Sequence, residues 1–363
     1  MDAIVPRGRK LRELAKLGCR LNYFRKSHHP KKNMARKIIF RLILCILTIC
    51  GSTSQGESRQ VTVAIPGVLN AIAFQIAQDK GYYRQEGLEA QLIVMQATVA
   101  NQALLGGNVD VASAAGSSLL AIIAGAPLRF IFTTFDRPFY FLLSRAEVRE
   151  IKELKGKKIA FGGGIGSGFD TNLRVILDKH GIEPARDVLM LSMAHTQIVY
   201  GALASGSVDA AVLTVDFAIK ARESGFRQLA SFSDQAFGLV QPQGSMIVTQ
   251  RLLQTEPMVM EKFVRGTLKG LLYARGNRSG SISILSRRNG ISQERGAKTA
   301  DYIFPAMTVD GTMSEEAQTT TLNQFLGRLG KKESPALGSV FDFFIVRKMH
   351  AELEAQGWRP ELD

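Results

Sequence analysis

An internal repeat, spaced by 99 residues, is the feature that most constrains the fold of this chain. The stretch LLGGNVDVA (104–112) matches LASGSVDAA (203–211). The pair Asp-Lys at 79–80 recurs at 178–179 with the same spacing. A register held over this distance predicts that one supersecondary unit occurs twice in the chain.

Each copy predicts the same order of elements: strand, helix, strand, helix, strand. In the first copy these are VTVAI (61–65), AIAFQIAQDKG, LEAQLIVM, TVANQALLGG and VDVASA; in the second they are KIAFG, DTNLRVILDKHG, DVLMLSM, TQIVYGALASG and DAAVLT. The first helix is expected to end at Gly81, because glycine readily adopts the left-handed conformation there. Alternating strands and helices imply βαβ crossovers and mainly parallel sheets flanked by helices. The predicted fold class is therefore α/β with two lobes.

Six loops follow the carboxyl ends of the predicted strands. They are 66–70, 96–98 and 114–118 in the first copy, and 164–171, 194–196 and 214–217 in the second. In open α/β sheets, ligands bind beyond the carboxyl ends of the strands. Two lobes that face one another would therefore line a single cleft with these loops.

The loop FGGGIGSGFDT (161–171) lies between a predicted strand and a predicted helix. Its glycines do not match the dinucleotide fingerprint G-x-G-x-x-G, and no Gly-Lys-Ser/Thr follows as in a Walker A loop. Small residues and a helix N-terminus suit an anion or a carbonyl oxygen. The alternative is a tight turn in which Ser167 is an ordinary N-cap.

Ten residues of these loops are predicted to bind a ligand, and Phe169 is expected to form an aromatic wall. The ten are Asn70, Thr98, Gly116, Ser117, Ser167, Gly168, Phe169, Thr171, His195 and Asp216. Structural alternatives are N-caps at Asn70, in 114–118 and at Asp216, and a merely solvated His195. Asp216 would bind a ligand amine or an arginine across the cleft. Arg137 is either a counter-ion for an anion or a surface residue.

No catalytic or metal-binding pattern is present after residue 54. Cys19, Cys45 and Cys50 all precede it, which excludes a cysteine nucleophile, thiolate metal sites and disulfides in the body. The histidines show no HExxH or other metal-ligand spacing, and GSGFD is not a G-x-S-x-G elbow. We expect no cofactor, no metal and no catalytic residue.

The N-terminal part has the layout of a secretory signal. Met34 is followed by basic residues, a short apolar run from Leu42 to Cys50, and the small residues 51–54. We expect translation to start at Met34 and cleavage near Ser54; an uncleaved anchor and a lipid-modified cysteine are the alternatives. Residues 1–54 hold 13 of the 46 Lys and Arg but only 2 of the 32 Asp and Glu. The chain after residue 54 therefore has a net charge near +3 rather than +14. A charge this small does not predict a nucleic-acid-binding surface.

Several stretches resemble one family. GYYRQEGLEAQLI, ALLGGNVDVASAAGSSLLAIIAGAPLR, IKELKGKKIAFGGGIGSGFD and ALASGSVDAAVLTVDFAIKARESGFRQLA are similar to solute-binding receptors of nitrate/sulfonate/taurine-type ABC importers, a group that includes thiamine-pyrimidine-precursor binders. The resemblance covers roughly residues 60–275. It implies a type II periplasmic-binding-protein fold, with lobe one at 58–137 and 249–363, lobe two at 138–248, and an N-terminal extension plus signal at 1–54.

The resemblance also implies what the chain does. A monomeric, exported receptor would trap a small polar or anionic solute, such as a sulfonate, nitrate, taurine or a pyrimidine, and deliver it to an ABC permease with its ATPase. FYFLLSR (139–145) and SMIVTQ (245–250) would be the strands that cross the hinge. The alternatives are a sensing receptor for a signalling partner and an enzyme of the thiamine-pyrimidine type, although the cysteine-rich iron motif of such enzymes is absent.

Overall fold

The structure is a computed structural model that describes residues 58–362. The predicted signal segment, the start at Met34 and the three cysteines lie outside the described residues. The ten strands of residues 58–362 are β1 Arg59–Ile65, β2 Leu88–Val94, β3 Val111–Ala112, β4 Leu128–Phe132, β5 Tyr140–Ser144, β6 Lys158–Gly162, β7 Leu189–Met193, β8 Ala210–Thr214, β9 Arg227–Ser231 and β10 Met246–Thr249.

The helices follow the strands closely in sequence. Those of the repeat are α1 Ile72–Asp79, α2 Tyr82–Gln85, α3 Ala97–Leu105, α4 Ala115–Ile123, α5 Gly168–Lys179, α6 Thr196–Ala204 and α7 Val215–Glu223. The C-terminal ones are α8 Gln250–Thr255, α9 Pro257–Gly276, α10 Arg278–Asn289, α11 Gln293–Ile303, α12 Glu315–Leu329, α13 Leu337–Val340 and α14 Phe344–Ala355. Short 3₁₀ turns occur at Leu69–Ala71, Ile151–Leu154, Gln235–Phe237 and Phe304–Ala306.

The strands form two five-stranded sheets with equivalent orders. The first sheet runs β2-β1-β3-β10-β4 and the second runs β7-β6-β8-β5-β9. In each sheet one strand is antiparallel to its neighbours: β10 in the first and β5 in the second. These are the strands that arrive from the other lobe. The predicted two-lobed α/β fold with mainly parallel sheets is confirmed.

Two aspartates of the repeat occupy matching places in the two sheets. The Asp110 carboxylate accepts a hydrogen bond from the backbone N–H of Thr62 at 2.8 Å, and the Asp209 carboxylate accepts one from the N–H of Lys158 at 2.8 Å. Each aspartate thus ties the turn before the third strand of its copy to the first strand. The repeat in the sequence therefore records a repeat of structure.

The C-terminal helices pack against the first lobe. The ring of Phe263 on α9 stacks on that of Tyr83 at 4.7 Å between centroids and lies 6.2 Å from that of Phe74 on α1. All three side chains are buried, so each contributes about 2 kcal/mol of hydrophobic stabilisation. The C-terminal helices are thus a structural part of the first lobe.

The two chain crossings between the lobes run side by side. Phe135 and Gln243 exchange backbone hydrogen bonds of 3.0 and 2.9 Å, and the N–H of Gln241 donates to the carbonyl of Asp136 at 3.0 Å. This paired segment forms one wall of the space between the sheets. Over residues 58–362, none of the helices is both long and apolar enough to cross a bilayer.

Candidate functional site

A cavity of about 230 Å³ lies between the two lobes. Seven of the ten predicted residues line it: Asn70, Gly116, Ser167, Gly168, Phe169, His195 and Asp216. The carboxyl ends of the parallel strands of each sheet point toward this space, which is why loops far apart in sequence meet there. Thr98, Ser117 and Thr171 are not among its lining residues.

The first turns of helices from both lobes converge on the cavity. Lobe one contributes Asn70 in the turn before α1, Ala97 at the start of α3 and Gly116 in α4, and lobe two contributes residues at the starts of α5, α6 and α7. N–H groups in a first turn lack partners inside the helix and carry partial positive charge. The cavity wall therefore favours electron-rich groups, such as carbonyl or acid oxygens, at several points.

The glycine-rich loop forms a capped helix start rather than a nucleotide loop. Gly163, Gly164 and Gly166 have φ values of +79°, +90° and +91°, which other residues rarely adopt. The Ser167 hydroxyl accepts from the N–H of Asp170 at 3.4 Å and donates to the carbonyl of Gly162 at 3.2 Å. The Ser167 side chain thus acts as the N-cap of α5, while the residue still borders the cavity.

Phe169 lines the cavity together with Tyr140, an aromatic residue that the sequence analysis missed. Its ring stacks on Tyr140 with centroids 4.1 Å apart and planes 28° apart. The Tyr140 hydroxyl donates to Gln243 in the crossing segment. Burial raises the pKa of Tyr140, and a hydrogen bond with Asn70 opposes this effect, so the phenol is neutral. Tyr140 is the first residue of the crossing strand β5. An aromatic residue at the start of that strand is the sequence feature that could have identified it as a cavity residue.

Asp170 is a second missed residue, and it joins the lobes. It is fully buried and accepts hydrogen bonds from the Gly166 N–H at 2.7 Å, Arg174 at 2.7 Å and Arg328 of α12 at 2.5 Å. Arg328 also donates to the hydroxyl of Thr171 at 2.5 Å. Thr171 therefore faces this charged cluster and not the cavity.

The other two predicted residues outside the cavity lining have structural contacts. The Ser117 hydroxyl accepts from Asn101 at 2.8 Å and lies 3.1 Å from the carbonyl of Ala97, to which it donates. This ties α4 to α3. Thr98 is half-buried, and its side chain lies 3.8 Å from the point where a Cβ on Gly164 would be. Thr98 therefore borders the opposite lobe at the rim of the cleft.

Asp216 places a carboxylate in the cavity wall at the start of α7. The Thr214 hydroxyl donates to its Oδ1 at 2.6 Å. Burial raises the pKa of Asp216 above its ordinary value, against the lowering effect of that hydrogen bond, of backbone N–H groups and of Arg295. The guanidinium of Arg295 is itself paired with Glu223 at 2.8 Å. The negative charge of the Asp216 carboxylate is thus only partly balanced by Arg295.

Cationic side chains are absent from the cavity lining within residues 58–362; neither lysine nor arginine contributes to it. Arg137 donates to the carbonyl of Pro305 at 2.6 Å and pairs with Asp136, away from the cavity. His195 lines the cavity but is exposed, and no group of His, Cys, Asp and Glu suited to a metal occurs in the described part of the chain.

Comparison with known proteins relates this chain to solute-binding proteins. A sequence model of the family described as NMT1/THI5 like matches residues 69–279, more than half of the chain. The riboflavin-binding protein RibY of Chloroflexus aurantiacus is 27% identical over 230 residues, which is 60% of this chain. The match spans only 63% of the length of that relative.

Solved structures with the same fold include two binding proteins and one enzyme. The nitrate-binding protein NrtA of Synechocystis PCC 6803 has a TM-score of 0.67 at 12% identity, covering 82% of this chain and 90% of that one. The alkanesulfonate-binding protein SsuA of Xanthomonas axonopodis pv. citri has 0.62 at 20%, covering 79% and 100%. The desulfurization enzyme DSZB has 0.60 at 13%, covering 81% and 99%. At these identities the likeness establishes the type II periplasmic-binding-protein fold alone.

Proposed function

Because the chain belongs to the NMT1/THI5-like family, we propose that it is a solute-binding receptor that traps a small polar or anionic organic molecule between its lobes and delivers it to an ABC importer. The observation that carries the proposal is the interlobe cavity of about 230 Å³, lined by helix starts from both sheets. Such a concave site with a few fixed polar groups suits a small organic ligand.

Contacts across the cleft support a closing motion as the working step. Arg328 of α12 reaches Asp170 of α5, and Arg295 of α11 reaches Glu223 of α7. A ligand that contacts both lobes stabilises the closed form by the difference between its affinities for the closed and open forms. We place the hinge in the paired segments near residues 136–140 and 243–248.

The relatives suggest which ligands to try. NrtA is named for nitrate, SsuA for alkanesulfonates and RibY for riboflavin. We propose nitrate, alkanesulfonates and riboflavin as candidate ligands of this chain, together with pyrimidines. The seven lining residues are proposed ligand contacts, whereas Ser117 and Thr171 are proposed to support the site from behind.

Location and partners are part of the same proposal. The protein would be exported by the signal within residues 34–54, act as a monomer in the periplasm, and dock in its closed form on a permease served by an ATPase. We propose lobe one as 58–137 and 246–363 and lobe two as 138–245, which moves the boundary expected at 248/249 to the first residue of β10. The strand β10 pairs within the first sheet, which fits a boundary at its start rather than its end.

An enzyme is the second candidate, and the fold shared with DSZB is the observation that favours it. It would need a reactive group in the cavity. No cysteine lies beyond residue 50, and the lining hydroxyl groups of Ser167 and Thr214 donate to the Gly162 carbonyl and the Asp216 carboxylate rather than to His195. A receptor for a signalling partner uses the same cleft and differs only in what recognises the closed form.

The first experiment measures melting-temperature shifts of the purified protein against nitrate, alkanesulfonates, riboflavin, pyrimidines and amino acids. A ligand at 100 times its dissociation constant stabilises the folded state by about 2.7 kcal/mol, which appears as a shift of several degrees. Recovery of each bound compound unchanged after long incubation supports a receptor. Conversion of the compound supports the enzyme. No shift with any compound, and no co-purified ligand, contradicts the proposed function.

A further inference from the structure

A chain of contacts joins the aromatic wall of the cavity to its carboxylate. Phe169 stacks on Tyr140, and Tyr140 is the direct neighbour of Thr214 across the β5–β8 ladder. The Thr214 hydroxyl donates to Asp216. Phe169 and Asp216 therefore stand on adjacent parts of the lobe-two wall: a flat apolar surface beside a negatively charged hydrogen-bond acceptor.

The charge of this wall is unusual for a site meant to hold an anion. Asp216 lies in the first turn of α7, so its own carboxylate already interacts with the positive end of that helix. No lysine or arginine lines the cavity within the described residues, and Arg295 is shared with Glu223. An oxyanion bound beside Asp216 would meet a like charge in a poorly solvated space.

The size of the cavity is also informative. Its volume of about 230 Å³ is more than ten times the roughly 15 Å³ that one water molecule needs by the same measure. A four-atom nitrate ion would leave most of that space to water. A ring system with polar edges would occupy more of it.

We propose that Asp216 selects the ligand of this receptor: its carboxylate accepts a hydrogen bond from an N–H group of a flat heteroaromatic ring lying against Phe169, and its charge excludes nitrate and sulfonate ions. The inference rests on the receptor function proposed above. The remaining helix starts, which have no carboxylate of their own in the lining, face the carbonyl oxygens of such a ring. The ligand class is thus a heterocycle with an amide-like edge, as in flavins and pyrimidines.

The test compares ligand selectivity in Asp216→Asn with that in the unmodified protein. Riboflavin, thymine and cytosine serve as ring probes, and nitrate and methanesulfonate serve as anion probes; dissociation constants are measured by calorimetry. Asparagine keeps an acceptor oxygen but loses the charge, and hydrogen bonds to charged groups are the stronger ones. We expect ring affinity to fall about tenfold or more and anion affinity to rise.

Asp301→Asn is the matched control, because it removes the same charge from an exposed side chain outside the cavity and should leave both affinities unchanged. A variant that merely disturbed the fold would weaken both probe classes together, and that outcome overturns the inference. So does tight binding of an anion with no binding of any ring, although the receptor function then stands. If neither class binds, the receptor function fails and the inference falls with it.

Discussion

Gly116 of the first lobe lies directly against the backbone of Gly168 in the second: a Cβ built on Gly116 would be 2.7 Å from the Gly168 nitrogen. Real Cβ atoms do not approach backbone atoms this closely. Two glycines of distant loops therefore allow the starts of α4 and α5 to touch across the cleft. This contact exists only when the lobes are together. The closed form therefore requires a residue without a Cβ at position 116.

Gly116→Ala should weaken ligand binding without destabilising the protein. The added methyl group forces α4 and α5 apart in the closed form, whereas alanine inside a helix is intrinsically favoured by about 0.5–1 kcal/mol. We expect the dissociation constant of any ligand found by the melting screen to rise about tenfold or more, a loss of roughly 1.4 kcal/mol. Calorimetry gives the affinity, and small-angle scattering shows whether the ligand still compacts the protein.

Gly201→Ala is the control for this substitution. Gly201 lies in α6, and nothing is within 4 Å of the point where its Cβ would be. The substitution should raise stability slightly and leave affinity unchanged. Equal affinities for Gly116→Ala and the unmodified protein would show that the contact is not needed for closure.

Arg328→Gln should destabilise the closed protein. Asp170 is fully buried, and Arg328 supplies one of its two charged partners. Removing that partner leaves part of a buried charge unsatisfied, which costs about 1–3 kcal/mol. Chemical denaturation measures the loss. Lys298→Gln serves as the comparison, because Lys298 is 50% exposed and its pairing with Glu294 should contribute little to stability; equal losses would contradict a special role for Arg328.

Phe169→Leu should weaken the binding of ring compounds selectively. Leucine keeps much of the apolar volume but loses the stacked face beside Tyr140, and aromatic pairs contribute about 0.5–1.5 kcal/mol beyond burial. We expect ring affinity to fall several-fold while any affinity for methanesulfonate is unchanged. Phe237→Leu, outside the cavity, should change neither affinity. A parallel loss for both ligand classes would assign Phe169 a purely structural role.

Most of the fold was predictable because it depends on local signals. Strand and helix positions follow from hydrophobic periodicity and from glycines such as Gly81, which adopts the left-handed conformation at φ +72° as expected. The matching of Asp110 with Asp209 in sequence correctly indicated equivalent places in two sheets. The strand orders, in contrast, could not be predicted from local patterns. They depend on where β5 and β10 insert into the two sheets, which is set by tertiary packing.

The cavity was predictable to the level of loops but not of side-chain direction. Asn70, Phe169 and Asp216 border the cavity because strand ends converge there. Thr171 lies one helical turn beyond Ser167, and whether it meets the cavity or α12 depends on where Arg328 arrives from a distant part of the chain. Asp170 and Tyr140 were missed for the same reason, since their partners are set by tertiary packing.

Asp216→Asn should stabilise the ligand-free protein at neutral pH. Burial raises the pKa of the folded Asp216 above the value of 3.8 for an ordinary aspartate, so the folded protein holds this proton more tightly than the unfolded chain. The stability that Asp216 contributes is therefore full below about pH 3.8 and is lost as the pH rises through the folded pKa. Above the folded pKa the carboxylate carries a charge that burial disfavours, and the asparagine variant avoids that cost.

The expected result is a melting temperature for Asp216→Asn that exceeds that of the unmodified protein at pH 7, with a difference that shrinks as the pH falls toward 4. Arg295, which is paired with Glu223, acts on Asp216, and His195 lines the same cavity, so His195→Gln in both backgrounds removes the histidine from the comparison. Asp216 would then lower the stability of the ligand-free protein while raising its affinity for ring compounds. This combination is typical of a binding-site residue and not of a residue that serves packing. A lower melting temperature for the variant at pH 7 would instead show that the Asp216 carboxylate stabilises the first turn of α7.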